Sequence, residues 1–249
     1  MISKQYVASI ELKREGVESF DVYPFSLPAV RPLEKLELHP AVTFFVGENG
    51  SGKSTLLEAL AVSCGFNAEG GSKNFNFGTR ESHSELHRFL RVARGHPRPR
   101  TGFFFRAESF FNVATEIEKL DAEPGAGPPI GPAYGHRSLH EQSHGESFLA
   151  LVLNRFSGHG LYLLDEPEAA LSPKRQLAVM TRMHDLVREK CQFVIATHSP
   201  ILMAYPDAWI YQFSAAGIER VAYEETEHYR ITRNFLANPE RTMRILFEE

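Results

Sequence analysis

Cysteine is scarce in this sequence. Its 249 residues include only two, Cys64 and Cys191, and neither belongs to a C-x-x-C spacing. This scarcity argues against a disulfide framework and against a cysteine-based zinc site, and it fits a reducing compartment. We expect both thiols to be buried.

Long hydrophobic runs are also missing. No stretch of about 18 consecutive apolar residues occurs, so the sequence predicts no membrane-spanning segment. The N-terminal residues 1–6 are followed by the charged stretch 11–15, which leaves no apolar core for a secretory signal peptide. We therefore expect a cytoplasmic protein for which a membrane is not a partner.

A strong charge of either sign is absent as well. The chain has 27 basic and 31 acidic residues and a formal net charge of −4, so no global field draws it to nucleic acid. A local patch is still present, because Arg94, Arg98 and Arg100 cluster on a proline-broken link. These arginines either contact a polyanion or are simply solvated, and nucleic acid stays open as a partner.

The chain does have enough apolar material for a sizeable core. Hydrophobic residues make up 43% of it, and its length predicts a single domain, 1–249, built as two lobes. Short strands at 5–13 and 33–38 predict a β-rich opening. From residue 146 onward strands and helices alternate as in a parallel sheet, and a helical lobe at roughly 66–158 is predicted as an insertion.

The other element boundaries follow from hydrophobic periodicity and from breaker residues. The spacing of Leu86, Phe89, Leu90 and Val92 predicts a helix over 82–94. The further predicted strands are 42–46, 102–105, 160–164 and 192–196. The further predicted helices are 53–62, 110–120, 147–156 and 173–189, with a loop rich in proline and glycine at 123–135.

A phosphate-binding loop is the most specific feature of the sequence. Residues 47–55 fit G-x-x-x-x-G-K-[ST] and directly follow the predicted strand 42–46. Glycines let the loop turn tightly and aim its N–H groups inward, while the next helix directs its positive end at the phosphates. Lys53 would neutralise β/γ-phosphate charge, and Ser54 would ligate Mg²⁺. The residues predicted to bind nucleotide here are Gly47, Glu48, Asn49, Gly50, Ser51, Gly52, Lys53, Ser54 and Thr55.

Two adjacent acids follow the apolar strand 160–164. Asp165 and Glu166 stand where the carboxyl ends of parallel strands meet and where open α/β sheets bind ligands. In this Walker B arrangement Asp165 would hold Mg²⁺, and Glu166 would orient and polarise the attacking water. The alternative is a pair of acids that cap the next helix.

An imidazole follows the strand 192–196. The segment Thr197-His198-Ser199-Pro200 places His198 at the same edge of the sheet, where it would contact the γ-phosphate and take part in catalysis. A histidine at a strand end is also often a structural hydrogen-bonding group, so the residue alone leaves both roles open.

Residues just before the predicted helix 147–156 complete a family pattern. The signature loop of ABC-class ATPases, L-S-G-G-Q or L-S-G-G-E, is matched at Ser143, Gly145 and Glu146. It departs at Gln142 and at His144, which replaces the first glycine. On these residues, together with the loop and the strand-end acids, the chain resembles the ABC-class ATPases over nearly its whole length.

The rest of the family order follows the same resemblance. Residues 169–172 stand where the D-loop belongs, and His198 matches the switch histidine. The segments 165–168 and 197–200 look more like the soluble OLD-type, AAA-annotated branch than like transporter subunits. The resemblance implies an α/β P-loop NTPase with an ABC-type ATPase core, a mostly parallel sheet, an N-terminal antiparallel β part and an inserted helical lobe.

Cofactors and a partner are implied by this resemblance too. Two chains would pack head to tail around two ATP molecules, each with Mg²⁺. Each site would then combine the phosphate loop of one protomer with Ser143, Gly145 and Glu146 of the other, where close approach to phosphate requires serine and glycine. The alternative is that 142–146 is a simple helix cap.

Some further residues have two interpretations each. Glu108 would replace the Q-loop glutamine as a Mg²⁺ or water contact, or it is a surface acid. Tyr23 and Phe25 would stack on adenine or pack in the core. A metal site and a solvated lead-in are the two interpretations of three evenly spaced histidines: His136, His140 and His144.

These observations predict an ATP-hydrolysing protein that serves a soluble effector protein or a nucleic-acid process of the DNA-repair, chromosome or phage-defence type. One rival is a phosphate-loop kinase, which would require a phosphate acceptor and which lacks a signature loop. The other rival is the ATP-binding subunit of a membrane transporter, which would require a membrane partner. The effector itself is set by surfaces outside the nucleotide site.

Overall fold

The computed structural model describes residues 5–73, 84–110, 115 and 144–247. Their strands are β1 Val7–Leu12, β2 Lys35–Glu37, β3 Val42–Gly47, β4 Leu90–Arg94, β5 Thr101–Arg106, β6 Gly160–Asp165, β7 Gln192–Ala196, β8 Trp209–Ser214 and β9 Gly217–Val221. Their α-helices are α1 Lys53–Ser63, α2 Leu86–Phe89, α3 His144–Asn154, α4 Pro173–Arg188, α5 Pro200–Met203, α6 Glu227–Ala237 and α7 Pro239–Phe247. Short 3-10 turns cover Arg14–Gly16, Pro167–Ala170 and Tyr223–Glu225.

Six strands form the main sheet in the order β5-β6-β7-β3-β8-β9. All neighbours in it are parallel except β8 and β9, which pair antiparallel. Every residue of β3, β6 and β7 is buried, which is why these strands are continuous apolar runs rather than alternating ones. Because β3, β6 and β7 are adjacent and parallel, the segments that follow them meet at one edge of the sheet.

The two faces of the main sheet pack against different layers. Along β3, Phe44 belongs to the core on the side of α3 and α4, whereas the next residue, Phe45, belongs to the core on the side of α1. Phe148 of α3 and Met183 of α4 lie in the first core, and Leu57 of α1 lies in the second. The sheet is therefore covered on both faces, as its apolar strands require.

The N-terminal antiparallel sheet has the order β2-β1-β4. It is joined to the main sheet through the buried side chain of Gln192. Its amide oxygen accepts hydrogen bonds from the Tyr6 and Val7 N–H groups at 3.0 and 2.9 Å, and its amide nitrogen donates to the Val7 and His39 carbonyls. The side chain of one glutamine thus makes the hydrogen bonds that these backbone groups need at the junction of the two sheets, where they are not paired with a neighbouring strand.

The prediction of a helix over 82–94 is wrong for its second half. In the described part of that range, 84–94, the helix covers Leu86–Phe89, and Leu90–Arg94 is the strand β4, which pairs with β1 at Ile10 and Val92. Leu90 and Val92 also satisfy the two-residue period of a strand, and pairing with a distant segment decided between the two periods. Both β4 and β5 lie inside the range 66–158, so this part of the predicted helical lobe is sheet.

Most other predicted elements occur close to their expected bounds. The strands at 102–105, 160–164 and 192–196 and the helices at 53–62 and 173–189 are present within about two residues. The helix predicted at 147–156 is α3, His144–Asn154. The predicted helix 110–120 lies almost wholly outside the described residues, and the predicted loop 123–135 lies outside them entirely. Both cysteines are buried and free, as expected.

Within the described part of the chain, no helix is long and apolar enough to cross a membrane.

Candidate functional site

The loop that follows β3 has a backbone that only glycine permits at key points. Gly47 has a φ of 142°, and a Cβ there would lie 2.3 Å from the Phe213 carbonyl oxygen of β8. Gly52, with a φ of 100°, is the left-handed residue immediately before α1. Because the first N–H groups of a helix have no partner within it, α1 directs unpaired donors and a positive dipole end into this loop.

Lys53, the first residue of α1, lies inside the loop and is almost fully buried. Its Nζ donates hydrogen bonds to the carbonyl oxygens of Gly47 at 2.7 Å and Glu48 at 2.8 Å. Burial lowers the pKa of Lys53, and the carboxylates of Glu166 and Asp165 oppose that shift. The lysine thus places a positive charge among the loop donors, where an anion would bind.

Ser54 and Asp165 connect the loop to the end of β6. The Ser54 hydroxyl donates to Asp165 Oδ1 at 2.8 Å. Burial raises the pKa of Asp165 to about 6, and the Ser54 hydrogen bond and nearby Arg106 partly offset this. A hydroxyl beside a buried carboxylate is a pair of hard oxygen donors, so these residues fit a Mg²⁺ ion.

Glu166 leaves the strand at a left-handed turn. Its φ and ψ are both 50°, and its N–H donates to the Ala196 carbonyl at 2.9 Å. The turn directs the partly exposed side chain toward His198, whose Nε2 is 3.5 Å from Glu166 Oε1. A non-glycine residue in this conformation is strained, and such strain is concentrated at functional sites.

His198 follows β7 and is held on three sides. Its N–H donates to a carboxylate oxygen of Glu168, its Nε2 faces Glu166, and its Nδ1 is 2.9 Å from Nε2 of His228 on α6. Burial lowers the pKa of His198, the charge on Lys53 adds to this, and Glu166 opposes it. A lowered pKa favours a neutral imidazole at pH 7.

Sequence patterns did not predict Arg106 and Glu58 as part of this site. Arg106 Nη1 lies 2.8 Å from Glu58 Oε2 in a largely buried ion pair, and Arg106 Nε lies 3.9 Å from Asp165 Oδ2. In the sheet register Arg106 stands opposite Asp165 across β5 and β6. A basic residue at the end of the strand predicted at 102–105 was the available signal.

Glu108, the predicted Q-loop residue, lies at the exposed rim of this cluster. Its side chain is 87% exposed and lies 3.5 Å from Arg106 Nη2. Arg106 approaches Asp165 with its Nε 3.9 Å from Asp165 Oδ2, and the N–H of the next residue, Ala107, donates to the Asp165 carbonyl at 3.2 Å. The role of Glu108 as a Mg²⁺ or water contact stays a prediction.

The predicted signature residues are only partly described. Ser143 lies outside the described residues, Gly145 is buried in the first turn of α3, and Glu146 is exposed and pairs with Arg175 of α4 at 3.0 Å. Of the predicted D-loop residues 169–172, the first two lie at the end of the 3-10 turn after Glu166, and Ser172 is the residue before α4. Their roles toward a second protomer stay predictions.

The remaining candidate residues differ in whether they are buried, exposed or outside the described part of the chain. Phe25 is a core residue that packs edge-on against Phe89, with ring centroids 4.9 Å apart, whereas Tyr23 is exposed. All three arginines of the predicted basic cluster, Arg94, Arg98 and Arg100, are exposed. His136 and His140 lie outside the described residues, and within those residues no cluster of three metal-binding side chains occurs.

Comparisons with known proteins agree with this geometry. Residues 12–112 match a family described as "AAA domain", and residues 134–204 match one described as "AAA domain, putative AbiEii toxin, Type IV TA system". The solved structure of MJ1267, an ATP-binding cassette of an ABC transporter, aligns with 95% of this chain and 97% of its own, at 16% identity and a TM-score of 0.52. The chain has the fold of an ABC-class P-loop ATPase.

Two further solved structures align with the chain. One is cbiO1 from Clostridium perfringens, part of the ABC transporter complex cbiONQ, with 16% identity, a TM-score of 0.47 and coverage of 98% and 100% of the two chains. Another is SmcHead bound to the C-winged helix domain of ScpA, with 15% identity, a TM-score of 0.48 and coverage of 87% and 97%. No match was found among curated proteins.

The predicted fold class is thus confirmed, including the ABC-type core with its mostly parallel sheet and the N-terminal antiparallel sheet. The individual roles of the site residues in this ATPase fold stay predictions. The structure does bring Lys53, Ser54, Asp165, Glu166 and His198 to one edge of the sheet.

Replacing Asp165 by asparagine is expected to raise the free energy of unfolding at pH 7, without Mg²⁺, by about 1–2 kcal/mol. Burial raises the pKa of Asp165 to about 6, above the usual range of an aspartate, so keeping this carboxylate charged at pH 7 costs the folded state free energy. The wild type should regain stability as pH falls from 7 through 6, and Asp165→Asn should not. Urea unfolding at pH 7 and 5.5 measures both, with the exposed Asp185→Asn as control. Equal stabilities at pH 7 would contradict the burial cost.

Proposed function

We propose that this chain binds MgATP at the loop 47–55 and hydrolyses it. The observation that carries the proposal is the 2.8 Å hydrogen bond from Ser54 to Asp165, which joins the phosphate loop to the strand-end acids. It places Lys53, a Mg²⁺-binding pair of oxygens and the Glu166–His198 pair around one space at the sheet edge.

The loop and α1 bind the phosphates. Backbone N–H groups after Gly47 and the first N–H groups of α1 donate to phosphate oxygens, and Lys53 neutralises charge on the β- and γ-phosphates. Lys53 exchanges its two carbonyl acceptors in the loop for phosphate oxygens as the nucleotide enters. Ser54 and Asp165 would hold Mg²⁺, which would supply neutralisation of the phosphate charge.

Glu166 acts on the attacking water. Its carboxylate stands one residue beyond the Mg²⁺-binding Asp165 and is partly exposed, so it can accept a hydrogen bond from a water in line with the γ-phosphate. His198 contacts the γ-phosphate from the neighbouring strand end. Catalysis then rests on positioning and on electrostatic stabilisation of the transferring group.

The first test is direct. The purified chain is mixed with ATP, with Mg²⁺ or with EDTA, and phosphate release is measured. Mg²⁺-dependent release is expected. If the γ-phosphoryl group is instead transferred to a small-molecule acceptor added to the same mixture, the result would support a kinase.

We further propose that two protomers close head to tail around two nucleotides. Ser143, Gly145 and Glu146 of one chain then approach the γ-phosphate held by the loop of the other. The order of these residues along the chain supports the proposal, together with the fold shared with an ATP-binding cassette.

With Glu166→Gln in MgATP, we expect light scattering to show a shift from monomer to dimer, since hydrolysis no longer reopens the pair. Adding Ser143→Arg should prevent the shift, because a bulky cation replaces the small group that approaches phosphate. Glu166→Gln with ADP is the control and should stay monomeric. A monomer at every protein concentration with ATP would contradict the sandwich.

The effector is proposed to be a soluble protein or a nucleic-acid assembly of the DNA-repair, chromosome or phage-defence type, as in the OLD-type branch. The resemblance of segments 165–168 and 197–200 to that branch supports this. A tagged Glu166→Gln chain is therefore expected to recover a nuclease or nucleic acid from detergent-treated cells with MgATP. Stoichiometric recovery of a multi-spanning membrane protein would instead favour a transporter subunit.

A further inference from the structure

The C-terminal helix α6 brings a second histidine into the site. Thr226 caps this helix by accepting a hydrogen bond from the Tyr229 N–H, and Thr226 itself is fully buried. The hydroxyl of Tyr223 donates to the carbonyl of Pro200, two residues after His198, at 2.9 Å. The start of α6 is thereby attached to the loop that carries His198, and His228 lies in its first turn.

The contact between the two histidines is direct. His228 Nε2 lies 2.9 Å from His198 Nδ1, and the ring centroids are 5.0 Å apart at 62°. On the other side of the His198 ring, Nε2 lies 3.5 Å from Glu166 Oε1. Glu166, His198 and His228 therefore form a row that begins at the strand-end acid and ends on α6.

A lowered pKa favours the neutral ring at both histidines of this row at pH 7. Burial lowers the pKa of each histidine, and the positive charge of Lys53 lowers both further. Two neutral imidazoles that face each other through nitrogen share one proton, so one donates and the other accepts. Two arrangements of the row are therefore available.

In the first arrangement His228 Nε2–H donates to His198 Nδ1, and His198 carries its own proton on Nε2, facing Glu166. In the second His198 Nδ1–H donates to His228, and His198 Nε2 presents a lone pair to the Glu166 carboxylate at 3.5 Å. Two acceptors would then face each other, which is repulsive. In the first arrangement His198 Nε2 carries a proton, so a donor faces the Glu166 carboxylate instead.

Two buried nitrogens of the row, His198 Nε2 and His228 Nδ1, have no hydrogen-bond partner among the described residues. In either arrangement one of them carries the buried N–H and the other a buried lone pair. Only in the first arrangement does the N–H stand opposite a carboxylate, because Glu166 Oε1 lies 3.5 Å from His198 Nε2. A buried N–H costs less beside a carboxylate than where no acceptor faces it.

We propose that His228 is a positioning residue that holds His198 as the Nε2–H tautomer, with its N–H directed at Glu166 and at the transferring phosphate. The role toward phosphate rests on the ATP hydrolysis proposed above, whereas the tautomer is a property of this chain alone. It follows that the C-terminal helix, which lies beyond the last strand, sets the donor state of a residue in the nucleotide site.

The test measures the tautomer in nucleotide-free protein labelled with ¹⁵N-histidine. His198 signals are assigned by their loss in His198→Gln. The wild type is expected to show protonated Nε2 and unprotonated Nδ1. His228→Gln, whose amide nitrogen takes the place of Nε2, should keep that pattern, whereas His228→Phe should give a mixture of tautomers. Arg230→Gln, exposed on the same helix, is the control.

Turnover gives a second readout. His228→Phe is expected to lower kcat about tenfold or more while KM for MgATP changes less than about twofold, and His228→Gln should restore most of kcat. If His228→Phe does not fold, His228→Asn, whose shorter amide cannot reach His198, replaces it. A protonated Nδ1 in wild-type His198 would overturn the inference, as would a wild-type tautomer in His228→Phe. A wild type without ATP hydrolysis but with the expected tautomer would defeat the proposed function alone.

Discussion

Replacing Lys53 by alanine is expected to abolish ATP hydrolysis, lowering turnover by about 10³-fold, and to weaken ATP binding strongly. Lys53 is the only side chain of the loop 47–55 that carries a positive charge. Its ammonium group lies among the loop carbonyls of Gly47 and Glu48, where the β- and γ-phosphates would bind. Phosphate release measures turnover, and titration with a fluorescent ATP analogue measures binding.

A matched control for Lys53→Ala is Lys174→Ala, which removes an exposed lysine from α4 and should change neither measurement. Thermal unfolding of Lys53→Ala shows whether the loop still folds without its two internal hydrogen bonds. Undiminished Mg²⁺-dependent turnover in a folded Lys53→Ala chain would remove the phosphate-loop assignment.

The second large effect is expected for Glu166→Gln, which should bind ATP as the wild type does and hydrolyse it about 10³-fold more slowly. Glutamine preserves the size of the side chain and the backbone turn at this position but cannot accept a proton from water. Nucleotide binding is retained because Lys53, Ser54 and Asp165 are unchanged. Single-turnover hydrolysis and equilibrium binding, measured on the same preparation, separate the two effects.

Glu34→Gln, an exposed acid distant in sequence from the site, is the control for removing one negative charge. Its turnover should equal that of the wild type. Normal hydrolysis by Glu166→Gln would assign the base to a different residue and would leave the left-handed turn at Glu166 without a catalytic reason.

Contiguous patterns were sufficient to predict much of the site. The loop 47–55, the strand-end acids Asp165 and Glu166 and the strand-end His198 each follow an apolar strand directly. Since such strands are buried and parallel, the sequence alone predicts that their carboxyl ends meet. The Ser54–Asp165 hydrogen bond and the Glu166–His198 approach agree with that expectation.

A segment whose apolar residues fit both the helical and the strand period cannot be assigned to either element from its own residues. The positions of Leu90 and Val92 fit the period of a helix and that of a strand. Pairing with β1, which is distant along the chain, is what makes this segment a strand. The aromatic ring of Phe25 is of a type that stacks on adenine. Only its packing against Phe89 in the folded chain shows that it is a core residue.

The sequence by itself thus determined the fold class, the phosphate loop and the order of the acids and the imidazole along the chain, because each motif is a contiguous run of residues and the alternation of strands and helices can be followed along the chain. The tertiary structure decided which distant side chains join them. Arg106 approaches Asp165 through the register of β5 and β6, and His228 reaches His198 because Thr226 and Tyr223 attach α6 beside Pro200. Such contacts join segments that lie far apart in the chain, and no local pattern encodes their distance.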